Sequence, residues 1–408
     1  MRDSASPVFV GLDIGTSAVR CIVGTFDAQG DSTKPTVIGH GQAVNNGMRK
    51  GVVAHVSEVA DAVVQAITEA ERHSGRPIKG ATVNINGSHV SGQDSRGVIA
   101  ISGASHRISD DDRARVEEAA TIVQLPSNRE IVQSFTKNYV VDGQQNIKNP
   151  VGMEGVRLEA DMHLVTASSP NVQSLEAALE RAQVHAAART VSGLGAAEAT
   201  LTRQQREVGT AVIDIGASTT NIIVFEDGEV QHVAVLPVGS ANVTNDLAIG
   251  LQTDLDVAEM VKLRYGEFIN RAILKISNDH GEHSFELETI KMIVDSRVEE
   301  LFELVDKELH KIKRARKLPG GIVITGGGAK LPGIVDAAKE RLQLAVRIGK
   351  LQDVTGLVDT VDDPQFYTAI GLMQLDIYFG GDGSQQHHER TSDSPLGFLD
   401  GLLKRFRG

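Results

Sequence analysis

The chain of 408 residues contains two copies of one short pattern, and this duplication restricts its fold more than any other feature. In the first copy an aliphatic run leads to Asp13 and then Gly15. In the second copy a similar run leads to Asp214 and then Gly216. Each copy predicts a strand with an aspartate at its end, a glycine-containing turn and a second strand. The repeat therefore predicts an α/β fold with two related halves.

Both turns carry groups that bind phosphate. Gly15 and Gly216 permit backbone angles at which successive N–H groups point at an anion, and neighbouring hydroxyls add donors. Asp13 and Asp214 are candidate holders of Mg²⁺ through its water shell. We predict that the turns face each other and clamp one polyphosphate; the alternative is that each is only a hairpin turn. The predicted phosphate-binding residues are Gly15, Thr16, Ser17, Gly216, Ala217, Ser218 and Thr219.

A third glycine-rich element supports this prediction. A buried strand is expected to end in Gly326, Gly327 and Gly328, which let the backbone approach a flat ring or a phosphate closely. The alternative is a flexible turn before a helix. Glu259 and Lys262 lie three positions apart on one helical face and can reach the same ribose, although exposed helices often carry such pairs. Together with Gly239, these residues complete the predicted nucleotide site.

Helical periodicity and composition define the other segments. Apolar spacing predicts a helix with an N-cap at Ser57 and a stop at Gly75, and a longer helix from about Thr289 to Lys317. Residues 381–394 contain no apolar side chain and predict a flexible linker.

The overall composition narrows the classes of function. With 41 Lys and Arg against 53 Asp and Glu, the net charge of -12 argues against a nucleic-acid-binding surface. Cys21 is the only cysteine, which excludes an intrachain disulfide and a zinc site of paired cysteines and fits a reducing cytoplasm. No apolar run is long enough for a transmembrane helix, so we expect any membrane contact to be peripheral.

The segment 395–408 predicts an amphipathic helix. At about 100° per residue its apolar side chains fall within an arc of roughly 160°, and three cations with one Asp occupy the other side. This pattern favours an interfacial helix attracted to anionic lipid; the alternative is a helix docked on the protein's own core. The predicted membrane-binding residues are Leu396, Phe398, Leu399, Leu402, Leu403, Lys404, Arg405, Phe406 and Arg407.

The order of these elements resembles the ATPase superfamily of actin, hexokinase and the heat-shock chaperones. The segments 46–53, 86–90 and 142–153 are similar to FtsA, a family of bacterial cell-division actin homologues, and the similarity covers roughly residues 8–379. The resemblance implies an actin-like, two-lobed ATPase fold with duplicated RNase H-like subdomains. It also implies an inserted subdomain of the type called 1C, in place of the actin subdomain at that position.

The resemblance implies a division of the chain into nine parts. Subdomain 1A is expected at 1–82, with a return and inter-lobe connection at 166–205 and a further return at 361–380. The inserted subdomain 1C is expected at 83–165. Subdomain 2A is expected at 206–246 and 319–360, with 2B at 247–318 between them. The linker then covers 381–394 and the membrane-targeting helix 395–408.

The resemblance also implies a function. We expect an ATP-binding, Mg²⁺-dependent protein that polymerises, anchors FtsZ filaments of the Z ring to the cytoplasmic face of the membrane, and recruits later divisome proteins. The preference for ATP over GTP comes from the resemblance alone. The expected partners are the FtsZ C-terminal peptide, further copies of the chain, anionic lipid and other divisome proteins, but no nucleic acid. The peptide is expected on residues 247–318, where Lys291 and Arg297 suit its acidic character.

Two other classes of protein remain as alternatives. A small-molecule kinase of the same superfamily would need a placed general base, and it would have no use for an amphipathic tail. Another actin-like scaffold, of the rod-shape or pilus-assembly type, is disfavoured by the segment 147–153. No catalytic base can be assigned from the sequence, since we interpret Glu198 as a surface residue. We therefore expect ATP hydrolysis to be slow at most.

Overall fold

The computed structural model describes residues 7–26, 34–102, 105–268, 272–278 and 281–379. The predicted linker and amphipathic tail helix lie outside the described residues. The helices are α1 (Val56–Ser74), α2 (Asp110–Thr121), α3 (Ser169–Arg181), α4 (Ser192–Thr200), α5 (Arg203–Val208), α6 (Ser240–Gly250), α7 (Leu255–Arg264), α8 (Leu287–Lys311), α9 (Ile334–Leu342), α10 (Val358–Val361) and α11 (Tyr367–Phe379).

Within the described ranges the strands form two large sheets and two short hairpins. They are β1 (Val8–Ile14), β2 (Ala18–Thr25), β3 (Thr36–Val44), β4 (Met48–Arg49), β5 (Val52–Val53), β6 (Gly80–Ile85), β7 (Ser91–Ala100), β8 (Arg129–Val141), β9 (Gln144–Ile147), β10 (Arg157–Ser168), β11 (His185–Val191), β12 (Thr210–Ile215), β13 (Thr220–Glu226), β14 (Glu229–Leu236), β15 (Ile273–Asn278), β16 (Gly281–Glu286), β17 (Ile322–Thr325), β18 (Val346–Ile348) and β19 (Thr355–Gly356).

The two large sheets share one topology. The first lobe has the strand order β11-β6-β1-β2-β3, with β19 added at the edge, and the second lobe has the order β18-β17-β12-β13-β14. In each lobe three consecutive strands are antiparallel, a fourth strand pairs in parallel with the first of them, and a fifth pairs in parallel with the fourth. The predicted duplication of an α/β unit is therefore confirmed.

The hairpins that open the two lobes also share one register. Asp13 lies opposite Arg20 in the first hairpin, and Asp214 lies opposite Asn221 in the second. The turns close in the same way, since Gly15 N–H donates to the carbonyl of Ala18 at 3.1 Å and Gly216 N–H donates to the carbonyl of Thr219 at 2.9 Å. The sequence repeat is thus a repeat of backbone geometry.

Helices α4 and α11 cross between the two sheets. At the crossing the backbones approach so closely that a Cβ atom on Gly371 would lie 1.7 Å from the carbonyl oxygen of Gly195. Helix α11 is further fixed to the first sheet by Asp376, whose carboxylate accepts hydrogen bonds from Val10 N–H at 2.9 Å and from the Thr82 hydroxyl at 2.7 Å. These contacts hold the first hairpin against the inter-lobe helices.

The segment from β7 to β10 interrupts the first lobe in sequence but joins the second lobe in space. Its sheet, in the order β7-β10-β8-β9, continues the second sheet because β7 pairs with β14 at Ser91 and Ala234. At this joint the buried His163 ring accepts a hydrogen bond from Val233 N–H at 3.0 Å through Nε2, and its Nδ1 lies 2.7 Å from the Asp94 carboxylate. One continuous sheet therefore links the inserted segment to the second lobe.

Two predicted helix boundaries are wrong. Helix α1 begins at Val56 with His55 as N-cap, so Ser57 lies within the first turn and does not cap it. The stop at Gly75 is confirmed, because this residue adopts φ 65° and donates its N–H to Glu71. Helix α8 ends at Lys311 and not at Lys317, since residues 313 and 316 adopt left-handed backbone angles that no α-helix contains.

In the described part of the chain, no helix combines the length and apolarity needed to cross a bilayer.

Candidate functional site

The two repeated turns, one from each lobe, lie close together, and we call the region around them the cleft. On one side, Gly51 donates its N–H to the Thr16 hydroxyl at 3.1 Å. On the other side, Asn86 donates its side-chain amide to the Thr219 hydroxyl at 3.1 Å. Gly51 and Gly87 are themselves in contact, since a Cβ atom on Gly51 would lie 2.6 Å from the Cα of Gly87. A short bridge of first-lobe residues therefore joins the predicted phosphate-binding turns.

The two aspartates are buried at the base of this cleft. Asp13 is 9% exposed and accepts a hydrogen bond from the Asn84 amide at 2.6 Å, while Asp214 is 7% exposed and accepts one from the Asn221 amide at 3.2 Å. Burial raises the pKa of the Asp13 carboxyl to about 7; the charge of Arg20 opposes this rise and that of Asp214 adds to it. Burial also raises the pKa of Asp214, to about 6.

The donor set fits a hard cation that keeps most of its waters. One carboxylate oxygen of each residue, Oδ2 of Asp13 and Oδ1 of Asp214, accepts no hydrogen bond from the described residues. Among those residues there is also no group of three or more His, Cys, Asp or Glu side chains that could hold a metal. A metal ion here would therefore depend on phosphate and water for most of its ligands, as Mg²⁺ does at nucleotide sites.

The third glycine-rich element lies against the second aspartate. Gly326 adopts φ 80°, and a Cβ atom on it would lie 2.4 Å from Asp214 Oδ1. A Cβ atom on Gly328 would lie 2.3 Å from the Ile215 side chain, whereas one on Gly327 would have no atom within 4 Å. Gly327 thus borders open space, while its two neighbours are packed against the end of β12.

Gly239 and the first turn of α6 support the second phosphate turn. The N–H groups of Ser240 and Ala241 donate to the carbonyls of Gly216 and Ala217 at 2.9 and 2.7 Å. A Cβ atom on Gly239 would lie 2.5 Å from the Ala217 carbonyl oxygen. The amides at this helix start are therefore bonded to the turn, and Gly239 is required by their close approach.

Glu259 and Lys262 are bound to each other on α7. The Lys262 ammonium lies 2.6 Å from Glu259 Oε2 and donates to the Thr244 hydroxyl at 3.0 Å. It also lies 3.5 Å from the carbonyl oxygen of Ser240, next to Gly239. The structure thus places this pair beside the start of α6, close to the second turn.

Sequence reasoning missed several polar residues of the cleft. Asn84, the residue before the last of β6, also donates to the Ser192 hydroxyl at 3.0 Å. Thr368 of α11 lies 3.4 Å from Asp214 Oδ2. The signal for Asn84 was an amide side chain within a buried strand. Asn221 and Arg20 could have been found from the repeat itself, because each stands seven positions after its aspartate.

The interpretation of Glu198 as a surface residue is wrong. Its side chain is 1% exposed and pairs with the buried guanidinium of Arg206 at 2.9 Å. The two residues lie on α4 and α5, the connection between the lobes. The helix that carries Glu198 is buried along its whole length.

The structure separates the two residues predicted to bind a peptide. Arg297 makes a double ion pair with Asp246, at 2.5 and 3.0 Å, and borders a groove of about 370 Å³ between α6 and α8. In this groove Ile249 is 77% exposed and Met292 is 62% exposed. Lys291 instead lines a different cavity, of about 770 Å³, between α8 and α9.

Comparison with known proteins identifies the family. Residues 211–371 match the family described as "Cell division protein FtsA", and residues 87–166 match the "SHS2 domain inserted in FTSA". The Cell division protein FtsA of Pseudomonas aeruginosa is 33% identical over 409 residues, covering 98% of this chain and 97% of the relative. The chain belongs to the FtsA family of cell division proteins.

Solved structures show that the fold of this FtsA-family chain is actin-like. A PilM-PilN type IV pilus biogenesis complex matches with a TM-score of 0.65, 17% identity and coverage of 90% of this chain and 98% of the matched chain. MreB5 of Spiroplasma citri bound to ADP matches with a TM-score of 0.51, 14% identity and coverage of 90% and 94%. At these identities the likeness shows the fold alone, whereas the sequence relatives show the family.

Proposed function

We propose that this FtsA-family protein binds Mg-ATP between its lobes, polymerises, and links FtsZ filaments to the cytoplasmic face of the membrane. The observation that carries the nucleotide part is the pair of hairpins with one register, whose turns and buried aspartates meet at one cleft. The ADP bound by MreB5, a protein of the same fold, supports nucleotide binding by this chain.

In this proposal each element has a separate task. The turns at 15–17 and 216–219 bind the phosphates through backbone N–H groups and hydroxyls. Asp13 and Asp214 hold Mg²⁺ through water and phosphate, and the ion supplies charge neutralisation at the phosphates. The open space at Gly327 receives the adenosine. No residue in the described chain is assigned as a general base, so hydrolysis remains slow at most.

An affinity measurement tests the nucleotide site. Asp214→Asn keeps the shape and the hydrogen bonds of the side chain but removes its charge, so we expect Mg-ATP affinity to fall at least about tenfold, the loss expected for a charged ligand group. Asp336→Asn is the matched control, because that side chain is 88% exposed on α9. Equal calorimetric affinity of the folded Asp214→Asn variant and the control would contradict the proposed site.

The groove between α6 and α8 is the proposed site for the FtsZ C-terminal peptide. Its exposed apolar side chains suit the apolar residues of a peptide, and its guanidinium, which pairs with Asp246 and Glu300, would exchange one of these carboxylates for an acidic residue of the peptide. Lys291 remains a proposed contact, although it lies outside this groove. We expect Met292→Ala and Ile249→Ala to weaken peptide binding in fluorescence anisotropy, whereas Ile122→Ala, which truncates an 81% exposed side chain of the inserted segment, leaves it unchanged.

Charge reversal separates the two predicted cations. Arg297→Glu should weaken peptide binding more than Lys291→Glu does, because only Arg297 borders the apolar groove. A larger loss of peptide affinity in Lys291→Glu than in Arg297→Glu would place the peptide in the cavity between α8 and α9 instead.

The C-terminal segment 395–408 is the proposed membrane anchor. Leu399→Glu or Phe406→Glu places a carboxylate in the middle of its apolar side, at a cost of a few kcal/mol for entry into lipid. We expect either variant to lose co-sedimentation with anionic vesicles, while Thr391→Glu in the linker keeps it. Added salt should weaken the wild-type interaction, because Lys404, Arg405 and Arg407 act through screened attraction. Undiminished pelleting of both apolar-side variants would favour a tail docked on the protein.

A further inference from the structure

Arg20 lies beside the two aspartates without pairing with either. It stands directly opposite Asp13 in the β1–β2 hairpin, where side chains of opposite residues share a face at about 5 Å between Cβ atoms. The negative charges of Asp13, Asp363 and Asp214 all act on its guanidinium. Yet among the described residues no ion pair within 4.0 Å joins Arg20 to a carboxylate. The second hairpin differs, because Asn221 at the equivalent position does bind its aspartate.

The guanidinium is held elsewhere. Its Nη2 donates to Gln365 Oε1 at 3.1 Å, and its central carbon lies 5.6 Å from the centre of the Phe366 ring, within range of a cation–π interaction. Its Nε is buried and makes no hydrogen bond with the described residues. We call Gln365 and Phe366 the arginine platform.

Several contacts fix the arginine platform in place. It lies on a short 3₁₀ turn, Pro364–Phe366, whose N-cap is Asp363: the Gln365 N–H donates to the Asp363 carboxylate at 3.1 Å. Asp363 is also ion-paired with Lys330, which follows the third glycine-rich element. The Pro364 carbonyl lies 3.4 Å from the Thr325 hydroxyl at the end of β17. These contacts tie the arginine platform to the second lobe, while the Phe366 ring itself packs in the first-lobe core with Phe9, Ile22 and Val37.

The position of Arg20 decides what the carboxylates can bind. A guanidinium pairs strongly with carboxylates and would neutralise the charge that attracts a metal ion. We propose that the arginine platform keeps Arg20 away from Asp13 and Asp214, so that this pair stays available to the Mg²⁺ of a bound nucleotide. The proposal rests on the nucleotide function proposed above and makes Gln365 a positioning residue of that site.

The test compares the affinity for a fluorescent ATP analogue in excess Mg²⁺ with that in EDTA, using the full chain. The dissociation constant in EDTA divided by that in Mg²⁺ is the ratio that measures how much Mg²⁺ strengthens binding. Gln365→Leu removes the acceptor at nearly constant volume, and we expect the ratio to fall about tenfold, as for a lost hydrogen bond to a charged group. Gln365→Glu retains an acceptor for Arg20 and should keep the wild-type ratio.

A double variant distinguishes the loss of Arg20 positioning from a general disturbance of the site by the Gln365 substitution. Arg20→Ala/Gln365→Leu has no guanidinium left to occupy the carboxylates, so it should recover the Mg²⁺ ratio that Gln365→Leu loses. Arg20→Ala alone should show a ratio no smaller than wild type. An unchanged ratio in Gln365→Leu, or a ratio still reduced in the double variant, overturns the inference. Absence of nucleotide binding by the wild type would instead overturn the proposed function.

Discussion

Gly326 and Gly327 are neighbours with opposite surroundings, and alanine at each should act differently. Gly326 combines φ 80° with a carboxylate oxygen 2.4 Å from the position of a Cβ atom. We expect Gly326→Ala to lower the free energy of unfolding by about 2 kcal/mol or more, from left-handed strain and steric overlap. Gly327→Ala should change it by less than about 0.5 kcal/mol, since nothing lies within 4 Å. Urea denaturation measures both, and equal losses would contradict the described packing.

The same contrast gives a test of adenosine placement. Gly327→Arg should leave the urea midpoint close to that of wild type, because the side chain projects into open space. It should nevertheless abolish ATP-analogue binding if the adenosine occupies that space. A folded Gly327→Arg variant with wild-type affinity would move the adenosine elsewhere.

Asp13 makes the stability of the nucleotide-free protein depend on pH. Its folded pKa of about 7 lies above the unfolded value near 4, so its contribution to stability is fully present below pH 4 and is lost as the pH rises through 7. We expect Asp13→Asn to become more stable relative to wild type between pH 4 and pH 7, by up to about 1.4 kcal/mol per pH unit, and the difference to level off above pH 7. Urea titrations in EDTA measure this difference, and a difference that does not vary with pH would contradict it. Asp336→Asn serves as the exposed control.

At the scale of elements, the joint between β7 and β14 depends on Gly92. A Cβ atom there would lie 2.2 Å from His163 Nε2 and 2.5 Å from the Val233 carbonyl oxygen. We expect Gly92→Ala to open the joint and to speed hydrogen exchange at Val233 N–H at least about tenfold. Val98→Ala changes a 45% exposed side chain of the same strand and should leave this exchange rate unchanged. Equal exchange rates in the two variants would show that the joint tolerates the extra carbon.

The sequence predicts those elements whose signals are local. The aspartate, the glycine and the spacing between them are close together in the chain, so both hairpins and their turns could be predicted. The end of α8 could not, because it depends on left-handed angles at Lys313 and Arg316, two residues with good helix propensity. Asn84 and Gln365 reach the cleft only through sheet order and the return of the chain near its end. Such long-range contacts leave no periodic pattern.

At the scale of the whole molecule, the crossing of α4 and α11 connects the lobes. Alanine at Gly371 would place a carbon 1.7 Å from a backbone oxygen of the other helix, and backbone cannot move aside as a flexible side chain can. We expect Gly371→Ala to cost about 3 kcal/mol or more and to lower the melting temperature. Gly250→Ala is a matched helical control, because its Cβ atom would meet only the end of the Ile293 side chain. Similar melting temperatures for the two variants would contradict a rigid crossing.

The continuous sheet also has a consequence for biosynthesis. The inserted segment is complete in the growing polypeptide once β10 has been made, but the strand that covers part of its β7 edge is β14, which the ribosome makes considerably later. During that interval β7 presents unpaired backbone groups at a sheet edge, the feature that recruits other chains into aggregates. Arg96 and Asp94 lie on β7, and charged side chains at an edge oppose such association. The nascent chain therefore carries its own protection until the second lobe emerges.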